Sequence, residues 1–227
     1  MRRKFLSVVL CVCMMMTMAP FAFAAGTGSS DVAQVGSQKY TSLQDAVNAE
    51  GANGATVTLL NDVTLDSTLV LNKSLTLDLN GHKITNGSSL SGYLIKIEHP
   101  SNVSIVGNKQ NSSIVDTRNN ATGTITAICV LGELTVNGSY LTISRGANGI
   151  AIKVDEQSPN QGKLTVNSGT ISMDTATTTS SQVIQNWGTT IINGGTFSGD
   201  VDSCSYSNIA GNMTINGGTF NGDVYSA

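Results

Sequence analysis

A short alternating strand that ends in asparagine and a small residue returns five times along this 227-residue chain. It reads Leu-Thr-Leu-Asp-Leu-Asn-Gly at 75–81, Leu-Thr-Val-Asn-Gly-Ser at 134–139 and Leu-Thr-Val-Asn-Ser-Gly at 164–169. It returns as Thr-Ile-Ile-Asn-Gly-Gly-Thr-Phe at 190–197 and Met-Thr-Ile-Asn-Gly-Gly-Thr-Phe at 213–220. Such self-similarity marks a stack, because one repeat alone cannot bury its apolar face and must cover it with its neighbours. Aligned on Asn80, Val106, Asn137, Asn167, Asn193 and Asn216, the repeats are 26, 31, 30, 26 and 23 residues apart. That period is too short and irregular for a propeller blade. It suits a three-sided parallel β-helix, whose strands hold register while the turns vary in length.

Each coil divides into three strands. The first is the asparagine-ended strand. The second follows the glycine, at 83–85, 113–115, 141–143, 170–172 and 196–197. The third covers 94–97, 127–131, 151–154 and 183–185, and then Ile209. A less regular coil precedes these at 57–71. Alternation along a strand decides which side chains face inward. Leu77 and Leu79, Leu134 and Val136, Leu164 and Val166, and Met213 and Ile215 are expected inside, with Asp78, Ser104, Thr135, Thr165 and Thr214 in an outward polar column. Rungs about 4.8 Å apart place equivalent residues in contact. Asn80, Asn137, Asn167, Asn193 and Asn216 are therefore expected to form a ladder, each bond contributing about 1 kcal/mol net. The glycine after each supplies the positive φ of a sharp corner.

One helix is legible ahead of the coils. Thr41-Ser42-Leu43-Gln44 has the form of a capping box, with the Thr41 hydroxyl meeting an orphan amide and Gln44 reaching back. Leu43, Ala46 and Val47 share one face and Gly51 is placed as a stop, which predicts a helix over about 42–50. A short strand at 32–35 precedes it.

Arg2, Arg3 and Lys4, the apolar stretch at 5–16 and Ala22-Phe23-Ala24 have the layout of a cleaved signal peptide. The expected division is a signal peptide at 1–24, a strand and capping helix at 25–53, and the β-helix at 54–227. The mature chain is expected to be secreted, extracellular or at the cell surface, with no later segment that spans a membrane. Twelve Lys+Arg less these three, against fifteen Asp+Glu, give the mature chain a net charge of −6. An acidic exported protein is a poor partner for nucleic acid or anionic lipid. Three prolines and 5% aromatics, in a chain rich in β-branched residues, favour strands and polar turns over further helix.

The stack resembles the right-handed parallel β-helix of the pectin-lyase-like superfamily. The segment Lys39-Tyr40-Thr41-Ser42-Leu43-Gln44-Asp45-Ala46-Val47, followed by 56–61 and 75–85, is similar to the opening of β-helix regions in secreted and surface proteins of Gram-positive bacteria. The resemblance covers residues 32–224. It implies an all-β solenoid with three strands per coil, about six to seven coils, and a short N-terminal helix that caps the open end. The superfamily includes polysaccharide lyases, glycoside hydrolases and non-catalytic adhesive modules, so the fold leaves activity open.

A lyase of that kind uses calcium-binding carboxylates and an arginine that abstracts a proton. Only Arg118 and Arg145 follow the signal segment, and Arg145, one rung from Asp116, is expected to form a surface ion pair. A hydrolase needs converging carboxylates. Asp155 and Glu156 are adjacent and point to opposite faces, while His82 and His99 read as turn residues. Asp200 and Asp223, each in Gly-Asp-Val and one coil apart, are candidate calcium ligands about 4.8 Å from each other. No cofactor other than calcium at this pair is expected. Phe197 and Phe220 are expected to stack inside the coil. Trp187 and Tyr140 are candidate sugar-stacking platforms and, with Arg145, candidate contacts for a glycan or a partner.

The expected function is an exported non-catalytic β-helix, a surface scaffold or adhesin-type module that contacts polysaccharide or a surface protein. The alternative is a polysaccharide lyase or glycoside hydrolase. Loops at 107–123, 155–162 and 174–181 are the expected contact points. Cys129 and Cys204 lie three rungs apart, roughly 14 Å, which is beyond the reach of a disulfide and predicts two free thiols. The last coil, which begins at 213, offers unpaired backbone groups, so the expectation is either that the chain is a fragment of a longer protein or that this end pairs end to end with a partner.

Overall fold

Strands with apolar residues at every second position need a cover for one face, and here three sheets cover one another. The computed structural model describes residues 30–119, 125–146, 148–157, 160–173, 182–206 and 209–226; the segment expected to be a signal peptide, 1–24, and the expected contact loop at 174–181 lie outside them. The described chain is all-β with one α-helix, α1 (Leu43–Asn48). Sheet 1 contains, in order, Gln38–Tyr40, Ala33–Val35, Thr56–Leu59, Leu75–Asp78, Asn102–Val106, Glu133–Asn137, Lys163–Val166, Thr189–Ile192 and Asn212–Ile215. Sheet 2 runs Val63–Leu65, Lys83–Asn86, Ser113–Asp116, Thr142–Arg145, Thr170–Met173, Thr196–Ser198 and Thr219–Phe220. Sheet 3 runs Leu69–Leu71, Ile95–Ile97, Ile125–Val130, Gly149–Val154, Gln182–Asn186, Asp200–Ser203 and Val224–Ser226. From Thr56 the chain visits sheets 1, 2 and 3 in turn, laying each strand parallel to its predecessor. Three parallel sheets threaded in this cycle fit a parallel β-helix.

The interior is a continuous apolar column. Leu77, Leu79, Leu134, Val136, Leu164 and Val166 are buried in it from sheet 1, and Ile84, Ile114, Ile143, Ile171 and Phe197 from sheet 2. Phe197 stacks on Phe220 with centroids 4.9 Å apart. Met213 is half-buried and Ile215 is 42% exposed, since among the described residues their strand is the last of sheet 1. No helix among the described residues is long and apolar enough to cross a membrane.

The start of the stack is closed by different chemistry from that expected. Ser42, not Thr41, caps α1, its hydroxyl accepting the Asp45 amide at 3.3 Å. Gln44 does not reach back. Its amide spans to the first strand of sheet 3, donating to the Val70 carbonyl at 3.0 Å and accepting the Val70 N–H at 2.9 Å. A glutamine thus stands in for the missing neighbouring strand. The helix stops at Asn48, ahead of Gly51, and a 3-10 turn follows at Glu50–Ala52. Lys73 binds the exposed carbonyls of Asn48 and Ala49, a cation at the negative end of the helix. Ala33–Val35 pairs antiparallel with both Gln38–Tyr40 and Thr56–Leu59, so a hairpin extends the edge of sheet 1.

The pairing corrects the expected register in four places. The coil at 57–71 is regular, with one strand in each sheet. Asp78, not Asn80, pairs with Val106, which in turn pairs with Asn137. Asn80 therefore lies two residues past the asparagine column, at a corner with φ 51°. Thr76, rather than Asp78, belongs to the column of Ser104, Thr135 and Thr165, which starts one rung earlier at Thr56, and Ile191 interrupts that column before Thr214. Finally, Asp200–Ser203 is the third strand of its coil, while Ile209–Ala210 belongs to an antiparallel hairpin with Ser205–Tyr206.

Glycine serves two distinct purposes at the corners. In the later asparagine turns the positive φ falls on the second residue after asparagine, at Gly169, Gly195 and Gly218. The other use is close approach. Gly132, Gly162, Gly188 and Gly211 each precede a sheet 1 strand, and a Cβ there would sit 2.5, 2.1, 2.2 and 2.3 Å from a carbonyl oxygen of the previous rung. Only a hydrogen fits this corner.

Candidate ligand-binding face

The outer face of sheet 2 is built from the residues that alternate with its buried isoleucines. Lys83, Ser113, Thr142, Thr170, Thr196 and Thr219 form one outward column in register. Thr85, Val115, Ser144, Ser172 and Ser198 form the second, two residues along each strand. Ser113, Thr142, Thr170 and Thr196 are partly exposed and Thr219 is exposed. Among the described residues, no side-chain hydrogen bond engages the hydroxyls of this first column. Threonine in a strand has few χ1 choices, so its hydroxyls are held at fixed spacing.

A depression lies at each border of this face. The first, of about 560 Å³, is lined by Asp62, Gly81, Lys83, Asn111, Ser112, Ser113, Tyr140 and Thr142. It runs along the stack at the corner between sheets 1 and 2. Tyr140 is 50% exposed. The tight corner that carries it is closed by the Leu141 N–H on the Gly138 carbonyl at 3.1 Å, and the Tyr140 N–H reaches the Gly107 carbonyl at 3.2 Å. The backbone that carries the exposed ring is therefore tied at both sides. Asp62 accepts the Lys83 N–H at 2.9 Å and stands 3.5 Å from His82 Nδ1. The second depression, of about 260 Å³, touches Val115, Asp116, Thr117, Ser144, Arg145, Gly146, Ser172 and Met173.

Arg145 is not the surface residue expected from the sequence. It ends a sheet 2 strand on the inward parity of Ile143, pairs in register with Asp116, and is 1% exposed. Its Nε stands 3.9 Å from the Asp116 carboxylate and donates to the Ile125 carbonyl at 3.3 Å, and its Nη1 donates to the Arg118 carbonyl. Arg118 closes the group with Nη2 2.6 Å from Asp116 Oδ2. Burial pulls the Arg145 guanidinium down from its ordinary pKa, Asp116 opposes this and Arg118 adds to it. Arg145 ties the corner between sheets 2 and 3 together from within.

The remaining expected site residues lie apart from this face. Trp187 is half-buried at the corner from sheet 3 to sheet 1, its backbone N–H donating to the Val154 carbonyl at 2.8 Å. Asp200 and Asp223 are in register at the start of two sheet 3 strands, and Asp200 accepts the Asp223 N–H at 3.1 Å. Asp223 accepts the Tyr225 hydroxyl at 2.7 Å, which pushes that phenol up. No group of three or more metal-ligating side chains occurs among the described residues. Asn216 donates to Asn193 at 2.8 Å and Asn193 to Asn167 at 2.9 Å, whereas Asn137 is joined through the Ser168 hydroxyl. Asn80 instead donates to the Leu59 carbonyl and accepts from Lys109. Cys129 and Cys204 are both free thiols, Cys129 on a sheet 3 strand and Cys204 just past the end of the strand three steps further along that sheet.

Asp62, Lys83, Asn111 and Thr142 were not among the residues singled out from the sequence. Their signal was present as the Ser or Thr that opens the second strand of successive coils, at 113, 170, 196 and 219. No protein-family model, no curated protein and no solved structure matches this chain.

Proposed function

We propose that the chain is an exported, non-catalytic β-helix that holds glycan on the outer face of sheet 2, with Tyr140 as its stacking platform. In this reading the helix is right-handed, of about six to seven coils, and of the pectin-lyase-like kind found in secreted and surface proteins of Gram-positive bacteria. The observation that carries it is the half-exposed Tyr140 standing over a polar groove lined by Asp62, Lys83, Asn111, Ser113 and Thr142. An exposed aromatic face beside fixed hydroxyl, amide and charged groups offers what a sugar ring presents in turn, an apolar face edged by hydroxyls. The burial of Arg145 supports a binding role over a lyase role, since the base of that chemistry has to reach the substrate.

A glycan array probed with the mature protein tests the reading. Retention of a glycan that falls at least about tenfold in affinity in Tyr140→Ala, with the fold intact by circular dichroism, is the expected result. A blank array, together with capture of a surface protein that Tyr140→Ala does not weaken, would replace glycan by protein as the partner.

A further inference from the structure

We infer that Asn216 is a site of spontaneous deamidation, and that its conversion to aspartate or isoaspartate loosens the last described strand of sheet 1 from the stack.

The chemistry needs no enzyme. The backbone nitrogen of the residue after an asparagine attacks the side-chain Cγ. The new C–N bond closes a succinimide ring, and the side-chain nitrogen leaves as ammonia, taking the proton of the attacking amide. Water then adds to one of the two ring carbonyls and breaks its bond to nitrogen, which gives aspartate or isoaspartate. Glycine in the following position leaves the attacking nitrogen least shielded, since it has no side chain. Eight asparagines of this chain precede glycine.

The fold separates the eight. At four of them the attacking N–H is engaged: Gly54 donates to the Ser74 carbonyl at 2.6 Å, Gly81 to the Ser112 hydroxyl at 3.0 Å, Gly87 to the Leu65 carbonyl at 2.8 Å and Gly138 to the Ser168 hydroxyl at 2.8 Å. Gly149 opens a sheet 3 strand in register with Ile125. Asn193, Asn216 and Asn221 are left. Asn193 and Asn216 both stand in Ile-Asn-Gly-Gly-Thr-Phe, so their intrinsic reactivity is the same and only the fold distinguishes them. The Asn193 carboxamide is held from both sides, donating to Asn167 at 2.9 Å and accepting from Asn216 at 2.8 Å. Its strand also has a neighbour on each side. Asn216 donates to Asn193, but among the described residues no group donates to its oxygen, and its strand is the last of sheet 1. Attack requires the carboxamide to swing off the ladder and over the next nitrogen. At Asn216 this breaks one ladder bond in a strand that opens locally; at Asn193 it breaks two in a strand that does not.

The product has no N–H to donate. A carboxylate at 216 faces the Asn193 oxygen acceptor to acceptor, so a favourable contact becomes a repulsive one. Isoaspartate also lengthens the main chain just ahead of Gly218, whose φ of 122° shapes the corner. Asn221 differs in consequence. Its partner is the Ser198 hydroxyl at 3.3 Å, which donates as well as it accepts, so a carboxylate there keeps its bond.

Incubation of the full mature chain at mildly alkaline pH, followed by chymotryptic cleavage after Phe197 and Phe220 and mass spectrometry, tests this. A mass gain of about 1 Da marks conversion. Asn216 is expected to convert at least about fivefold faster than Asn193, the factor that one ladder bond supplies. In denaturant the two are expected to convert at equal rates. Asn216→Asp is expected to speed hydrogen exchange in Asn212–Ile215, while Asn221→Asp leaves it unchanged. Equal rates in the folded chain, faster conversion of Asn193, or a difference that persists in denaturant would overturn the assignment of the site. Unchanged exchange in Asn216→Asp would overturn the release of the strand.

Discussion

At the scale of single residues, burial decides what a charge or a thiol does. Asp116 is buried with two guanidinium groups around it, Arg118 at 2.6 Å and Arg145 at 3.9 Å. Removing that carboxylate strands Arg145 in the interior. Asp116→Ala is expected to cost about 3–5 kcal/mol in chemical denaturation, whereas Asp116→Leu combined with Arg145→Met costs less because the fully buried guanidinium leaves together with its partner and only the partly exposed Arg118 loses the carboxylate. A double variant as unstable as the single one would show that the corner depends on the carbonyl bonds of Arg145 more than on its charge. Cys129 gives a prediction in pH. Burial, then Asp155, pushes its thiol up from 9.0 to about 11, against the opposing effects of the Tyr93 hydrogen bond, Lys153 and Lys96. Between those values the unfolded chain has lost a proton that the folded chain keeps, so stability falls as pH rises through this window. The denaturation midpoint is expected to decline from pH 9 to 11, and less steeply in Cys129→Ala. An identical profile in the variant would remove the thiol from the account.

At the scale of elements, ends and corners are where the sequence was hardest to read. Gln44 satisfies an edge strand, and losing it leaves both backbone groups of Val70 without their partner. Gln44→Ala is expected to cost about 1–3 kcal/mol and to speed hydrogen exchange at Val70 more than at Ile95, one strand further in. The corner glycines make a second test. Gly188→Ala would place a methyl 2.2 Å from the Gly162 carbonyl oxygen, and a cost of about 1–3 kcal/mol in chemical denaturation is expected. Gly36→Ala is the informative contrast: its Cβ meets no atom but its φ is +57°, so any cost there is conformational. Strand identity was legible because alternation of Leu, Val and Ile has one physical reading. The coil from Thr56 to Leu71 was under-read because its turns are short and lack Asn-Gly. Asn80 was misplaced because a turn asparagine and a ladder asparagine have the same neighbours in sequence. The Tyr140 groove was half-visible: its aromatic stood out, but Asp62, Lys83 and Thr142 reach it only through stacking of coils 20 to 30 residues apart.

At the scale of the whole molecule, each rung touches only the rungs before and after it, so stability is a sum of rung terms and nearest-neighbour contacts. The two ends of the described stack are unlike. The first rung is covered by α1, whose Leu43, Ala46 and Val47 are buried against it. The last rung carries Ile215, Val224 and Tyr225 at 42, 46 and 51% exposure. Opening the last rung of this 227-residue chain therefore exposes little apolar surface that is not already in water, whereas opening a middle rung uncovers both its own residues and its neighbours'. Native-state hydrogen exchange is expected to show a gradient, with amides of Val224–Ser226 exchanging through local opening and those of Gly149–Val154 only through global unfolding. Substitutions should follow the same gradient: Ile152→Ala is expected to cost about 2–5 kcal/mol, and Ile215→Ala less than about 1 kcal/mol because its side chain is already 42% exposed. Equal costs at the two positions would mean that something covers the last rung in solution. Sedimentation of wild type and Ile215→Asp would then decide whether the cover is a second copy, since a charge placed in such an interface would release the monomer.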